Sequence, residues 1–159
     1  MIRRAAPIVA AGLAFASAAT TGYWVLGGTA LLDTVGGYAE NLARSRTATA
    51  LVVGILVVGI KVIAGLLALW LAEPEPRRRL RVPLQILAWL GGGLLTVYGG
   101  LLVAVGALVL TGVLHPDGPV DRRVLTWHVA LWDLWFLVWG VALLAATWRF
   151  SRSGRSPRS

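Results

Sequence analysis

Four long apolar stretches, separated by short polar segments, dominate the pattern of this chain of 159 residues. They cover residues 5–32, 48–72, 82–114 and 124–148. Each stretch matches or exceeds the ~20 residues that cross the hydrocarbon core of a bilayer. Because backbone groups in lipid must bond to one another, and because the alternation of a barrel strand is absent, each stretch is predicted to be a helix. The pattern therefore predicts an all-α polytopic membrane protein, with a four-helix transmembrane bundle over residues 1–150.

The third stretch is longer than one crossing requires. A helix over residues 82–114 would be ~50 Å long. We therefore expect it to tilt, to project beyond the headgroups, or to bend at the three consecutive glycines Gly91, Gly92 and Gly93.

Composition supports a membrane protein and excludes several kinds of site. The chain is 57% hydrophobic and only 14% charged, with a mean hydropathy of +0.74. The net charge of +8 sits in clusters that flank the apolar stretches, so we expect the lipid bilayer, and no nucleic acid, as the partner. The absence of cysteine excludes disulfides and thiolate sites, and without an HExxH motif we expect no metal and no cofactor.

The arginines predict an orientation. Most of them lie before the first stretch, between the second and third, and after the fourth. The positive-inside rule then places both termini in the cytoplasm of a bacterial plasma (inner) membrane. Residues 151–159, SRSGRSPRS, are predicted to be a disordered basic tail. As an alternative, the N-terminus also has the features of a signal peptide cleaved after Ala18.

Small residues at helical spacing predict close packing between helices. The third stretch carries one stripe of small residues, and the first carries two: Gly92, Thr96, Gly99 and Gly106; then Gly12, Ala16 and Thr20; and Ala14, Ala18 and Gly22. Each stripe could pack against another helix of the same chain or against a second copy in a homo-oligomer, and the sequence leaves both alternatives open.

Two opposite charges fall inside the apolar stretches. Lys61 lies near the middle of the second and Asp133 within the fourth, at depths that differ by ~6 Å. A lysine at the centre of a span costs ~2.5–3.5 kcal/mol, so we expect the two residues to form an ion pair between helices. Such a pair either fixes the register of the helices or marks a functional site, and the sequence leaves both readings open.

The aromatic residues suggest a second polar feature. On an α-helical wheel His128, Trp132 and Trp135 share one stripe, and Asp133 lies on another, about 130° away. Deep tryptophans require an acceptor for the indole N–H or a pocket that uses their faces. Tyr23 and Trp24 fit an interfacial belt, and Gly27 with Gly28 allows the chain to break after them.

These residues suggest three functions. The first is a small integral membrane protein of unknown, non-enzymatic activity with a buried Lys61–Asp133 pair. The alternatives are binding or transport of a small amphipathic cation or lipid, and an enzyme acting on a lipid or isoprenoid. Because His128 and Asp133 would lie ~140° apart on an α-helix, joint acid–base action is the least favoured alternative.

Two motifs, YWVLGGT and WHVALWDLWFLVWG, carry a resemblance that extends over nearly the whole chain. They resemble a family of small four-span membrane proteins, mainly actinobacterial, defined as a domain of unknown function. That family often has a proline after the Trp–Asp pair, where this chain has Leu134. The resemblance implies a fold and a membrane location but no activity, and the leucine removes an expected kink. The matching residues are Tyr23, Trp24, Gly27, Gly28, Trp127, His128, Trp132, Asp133 and Gly140.

Overall fold

The computed structural model describes residues 5–73 and 78–153, and this part of the chain is helical throughout apart from its connections. Four of its helical stretches are long and apolar enough to cross a membrane, which confirms the predicted all-α, four-span fold. The helices are α1 (Ala5–Val25), α2 (Gly37–Ser45), α3 (Ala48–Trp70), α4 (Arg78–Leu110), α5 (Arg122–Trp127) and α6 (Asp133–Ser153). A 3-10 helix, Leu32–Thr34, precedes α2, and a π-helical segment, His128–Trp132, joins α5 to α6.

Glycines end the first and third spans. The first span stops at Val25 rather than near Leu32, because Gly27 adopts φ = 109° and the Gly28 N–H donates to the Tyr23 carbonyl at 2.8 Å. The third span ends at Leu110, before Gly112 with φ = 74°. It runs unbroken through Gly91–Gly93, so α4 retains a length of ~50 Å.

The four spans pack in the order α3, α1, α6, α4. Helix α1 packs against α3 on one side and against α6 on the other, and α6 packs against α4. Helix α1 thus lies between α3 and α6, although Trp70 at the end of α3 packs on Phe150 near the end of α6, with ring centroids 5.1 Å apart. This order decides which polar side chains can meet.

One end of the bundle, here termed the closed end, holds the hydrophobic core. It is where α1 and α4 begin and where α3 and α6 end. Alanine side chains of α1 meet larger side chains of α3 and α6 there, which excludes water from the contact. The core comprises Ala10, Ala11, Ala14, Leu67, Ala68, Leu71, Ala88, Trp139, Leu143, Ala146 and Phe150.

The glycine stripe of α4 packs within the chain, against α6. A Cβ added at Gly99 would lie 2.7 Å from the Asp133 carbonyl oxygen, and one added at Gly140 would lie 2.5 Å from the Thr96 nitrogen. Glycine therefore permits backbone contact along this seam, as predicted. In α1, the stripe that contains Ala14 and Ala18 is the buried one, and Ala16 on the other stripe is exposed.

The ends of the chain allow a partial comparison with prediction. Helix α6 continues to Ser153, three residues into the segment predicted to be a disordered tail. Residues 154–159 lie outside the described residues, as do Arg3, Arg4 and Arg77, which contributed to the predicted orientation.

Candidate functional site

A cavity of about 500 Å³ lies at the opposite end of the bundle, here termed the open end. Its walls come from the last turns of α1, the first half of α3 and the start of α6, and α2 contributes the wall nearest the connecting loops. Six of the seven residues singled out from the sequence line this one cavity: Trp24, Lys61, His128, Trp132, Asp133 and Trp135.

Lys61 binds α1, the helix packed beside its own. Its Nζ donates to Thr21 Oγ1 at 2.7 Å and to the Ser17 carbonyl at 3.4 Å. Both acceptors are uncharged. Among the residues that the structure describes, no carboxylate lies within ion-pairing distance of this ammonium.

The predicted direct ion pair between Lys61 and Asp133 is therefore wrong. The prediction matched their depths in the bilayer but assumed that α3 and α6 are neighbours. Because α1 lies between these helices, the lysine reaches hydroxyl and carbonyl groups of α1 first. Lys61 and Asp133 instead line different walls of the same cavity.

A π-helical turn brings His128 and Asp133 together. The Asp133 N–H donates to the His128 carbonyl, five residues earlier, over the segment His128–Trp132. The extra residue in this turn aligns positions i and i+5, which an α-helix would separate. The His128 Nδ1 atom lies 3.2 Å from Asp133 Oδ1. The predicted separation of these side chains around the helix is thus wrong, because it assumed an uninterrupted α-helix.

The His128 ring is bonded at both nitrogens. Its Nε2–H donates to the Val35 carbonyl at 2.8 Å, beside the 3-10 helix, while Nδ1 faces Asp133. Asp133 is only 4% exposed. Across residues 5–73 and 78–153, no group of three His, Asp or Glu side chains is arranged to hold a metal ion. The geometry is that of a two-member histidine–carboxylate pair at the cavity wall.

Three tryptophans of the cavity have hydrogen-bond acceptors. The Trp132 indole donates to Thr34 Oγ1 at 3.1 Å, and the Trp135 indole donates to the Leu13 carbonyl at 3.1 Å. Trp24 donates to Ala30 and packs edge-to-face on Trp132, with ring centroids 5.5 Å apart. These contacts satisfy the polar edges of the indoles and leave apolar ring surface for the cavity.

Tyr23 is the one singled-out residue that does not line the cavity. Its ring packs directly over Gly28, and its hydroxyl accepts from the Ala30 N–H at 3.5 Å. Any side chain at Gly28 would collide with this ring. Tyr23 therefore stabilises the turn that follows α1.

Helix α2 was not predicted, although its sequence carried a signal. Apolar residues Tyr38, Ala39, Leu42 and Ala43 line the cavity, whereas Glu40 and Arg44 form an exposed ion pair of 2.7 Å. This spacing is that of an amphipathic helix, but the segment is too short to stand out among the long spans. Arg46, just after α2, also lines the cavity and donates to the Gly27 carbonyl at 2.7 Å.

A comparison with known families gives a match over most of the chain. The family model described as "Protein of unknown function (DUF3995)" matches residues 10–143, which is most of the chain and includes every residue of the cavity. No curated protein and no solved structure matches the chain.

Proposed function

We propose that this chain, which belongs to the DUF3995 family of proteins of unknown function, binds one lipid-like amphipathic molecule in the cavity at the open end. One observation carries the proposal: a cavity of about 500 Å³ combines mainly apolar walls with a few converging polar groups. Sites for small molecules are typically concave, ~300–1,000 Å³ in volume, and built in this way. A ligand reaching such a site from the bilayer would itself be amphipathic.

The arrangement of Lys61 favours binding over a purely structural role. A structural ion pair would hold α3 against α6 and fill the space between them, whereas the lysine lies on the wall of an open space. An ionisable group inside a membrane span is costly, and groups of this kind commonly mark ligand or ion sites.

The test fills the cavity without altering its polar groups. Ala43→Phe places a ring in the cavity, and Ala19→Phe places the same ring on the exposed face of α1 as a matched control. Each protein, in neutral detergent, receives an equimolar mixture of palmitate, hexadecyl phosphate, hexadecanol and hexadecyltrimethylammonium. Native mass spectrometry then measures the total amphiphile retained.

We expect the parent protein and Ala19→Phe to retain a single amphiphile and Ala43→Phe to retain none. Equal retention by the two variants, with Tm values matching the parent, would show that the cavity is not the binding site.

The His128–Asp133 pair favours a second candidate, an enzyme acting on a lipid or isoprenoid with this pair as an acid–base group. It ranks below binding because the Val35 carbonyl occupies Nε2, so neither ring nitrogen is free to take a proton from a substrate. Chromatography of a lipid extract incubated with parent protein and with His128→Asn tests it. A product formed only by the parent would favour the enzyme.

We further propose a plasma-membrane location with both termini in the cytoplasm, supported by the arginine distribution. The chain contains no cysteine, so single cysteines can report orientation without background. Asp117→Cys, in the loop before α5, should react with an impermeant maleimide added to intact cells. Glu73→Cys, after α3, should react only after lysis, and the reverse pattern would invert the topology.

A further inference from the structure

We infer that the headgroup bound in this cavity is anionic, a carboxylate or a phosphate, and that the Lys61 ammonium is its counter-ion. This inference rests on the proposed function and specifies the chemical class of the ligand. It follows from the charges of the cavity wall, considered in turn.

Few side chains of the cavity wall can carry a charge at neutral pH. Among the lining residues that the structure describes, these are Arg46 and Lys61, which are basic, and the His128–Asp133 pair. The sign of the cavity therefore depends on how many protons the pair holds.

Hydrogen-bond geometry fixes that number. The Val35 carbonyl can only accept, so His128 Nε2 carries a proton. A hydrogen bond between Nδ1 and Asp133 Oδ1 needs one further proton, held by either atom. Imidazolium with carboxylate, or imidazole with carboxylic acid, has a net charge of zero. The pair therefore adds no charge to the cavity in either form.

The two basic side chains are then unopposed. Arg46 is exposed at the end of α2 and donates to a carbonyl, and Lys61 donates to a hydroxyl and a carbonyl. An ammonium has three N–H groups, and Lys61 uses two of them within the described residues. The third is available to a ligand. An ammonium away from water gains most from an anionic acceptor, because charge-assisted hydrogen bonds are the strong ones.

The same geometry disfavours a cationic ligand. The Asp133 carboxylate would be its natural partner, but this side chain is buried and already bonded to His128. A cationic headgroup in the cavity would meet Lys61 and Arg46 with no free anion among the described residues that line it. Of the amphipathic cation and the lipid considered from the sequence, the wall charges thus favour a lipid with a negative headgroup.

The volume limits how much of the ligand the cavity encloses. At ~30 Å³ for a group the size of a water molecule, about 500 Å³ holds on the order of 15 non-hydrogen atoms. That is enough for a headgroup and part of one acyl chain, and too little for a whole two-chain phospholipid. We therefore expect a single-chain amphiphile, or one chain of a larger lipid.

The experiment measures each of the four probes separately on the parent protein, by native mass spectrometry in neutral detergent. The probes share a hexadecyl-length chain, so the headgroup is the variable. We expect palmitate or hexadecyl phosphate to bind about tenfold or more tightly than hexadecanol and hexadecyltrimethylammonium, the difference that one charge-assisted hydrogen bond supplies. Whichever of the two anions binds more tightly indicates whether the preferred headgroup is a carboxylate or a phosphate.

Two variants assign that preference to Lys61. Lys61→Met should remove the preference, so that the two anions bind no more tightly than hexadecanol does to the same variant, and Lys61→Arg should restore it. The ranking of probes on the parent protein tests the inference even where a variant fails to fold.

Two results would overturn the inference. One is equal retention of all four probes, still blocked by Ala43→Phe, which would leave the proposed function intact. The other is tightest binding of hexadecyltrimethylammonium. No retention of any probe by the parent protein would instead contradict both the inference and the proposed function.

Discussion

The closed and open ends of the bundle are both built mainly from α1, α3 and α6, with different side chains at each end. At the closed end, α1 presents Ala10 and Ala14, both fully buried, to large apolar residues of its neighbours. At the open end, the same helix presents Ser17, Thr21 and Trp24 to a cavity. Helix α6 changes in the same direction, from apolar side chains to Trp132, Asp133 and Trp135.

The closed end and the open end therefore use helix packing in different ways. Alanine and leucine bring helices into contact and leave no space, which is how a membrane bundle without a hydrophobic driving force gains stability. Hydroxyls, indoles and ionisable groups line a volume at the open end, and in our proposal a bound ligand offsets the cost of keeping that volume open. Substitutions should therefore lower stability at the closed end and ligand retention at the open end.

The largest effect on stability is expected from overpacking the closed end. Ala14→Phe inserts a ring where α1 meets its neighbours, at a fully buried site. Overpacking costs about 1–3 kcal/mol, and a ring at such a site should reach the top of that range or exceed it. Ala43→Phe, the same change at the open end, should leave Tm close to the parent value. Equal losses of Tm would abolish the distinction between the two ends.

The next effect concerns the α4–α6 seam, which supports the cavity wall from behind. Gly99→Ala directs a methyl group against the backbone of Leu137 and Asp133, and we expect a loss of about 1–3 kcal/mol. Gly93→Ala is the matched control, because nothing lies within 4 Å of its added carbon. Thermal unfolding in one detergent compares them, and a Gly99→Ala protein as stable as Gly93→Ala would disprove the close seam.

A smaller loss of stability is expected when the His128–Asp133 pair is broken. Asp133→Leu leaves His128 Nδ1 without a hydrogen-bond partner. An unpaired buried polar group costs about 1–3 kcal/mol of unfolding free energy, and we expect a loss at the lower end of that range because His128 is partly exposed. Asp133→Asn retains a donor for Nδ1 and should cost less.

Double-mutant cycles distinguish this pair from the ion pair expected from the sequence. His128→Ala with Asp133→Leu should show a coupling of about 0.5 kcal/mol or more. Lys61→Met with Asp133→Leu should be additive to within about 0.5 kcal/mol. Strong coupling in the second cycle would restore the direct pair.

The smallest effect compares two tryptophans of α6. Trp135 donates to the Leu13 carbonyl, whereas the buried Trp139 nitrogen has no hydrogen-bond partner among the described residues. Trp135→Phe removes a hydrogen bond worth about 0.5–1.5 kcal/mol, whereas Trp139→Phe removes no hydrogen bond but opens space in the closed-end core. Because these two losses oppose each other in the comparison, we expect the Tm values of the two variants to lie close together. A far larger loss of Tm for Trp139→Phe would show that the hydrogen bond of Trp135 contributes little.

The sequence was sufficient to predict the spans and the seam, because each depends on local properties. Apolar length predicts a crossing, and the spacing of Gly92, Gly99 and Gly106 predicts close approach. Gly27–Gly28 indicates a possible break, although the predicted span continues past it to residue 32. These features need no knowledge of which helices are neighbours.

The partners of the polar residues could not be predicted in the same way. Lys61 and Asp133 match in depth, but depth does not reveal that α1 lies between their helices. The π-helical turn at His128 moves a side chain around the axis without changing the hydrophobic pattern. The ionisable residues of the spans and the tryptophans that line the cavity were nevertheless recognisable one by one, because such groups are costly deep in lipid wherever they lie.

The most direct test of the central claim, an open and ligand-binding end, is an experimental structure of the protein in a lipid nanodisc supplied with hexadecyl phosphate. We expect elongated density between α1, α3 and α6, with its headgroup beside Lys61 Nζ and with His128 still bonded to Asp133. A structure in which α3 closes on α6, so that the Lys61 ammonium contacts the Asp133 carboxylate and no cavity remains, would contradict it.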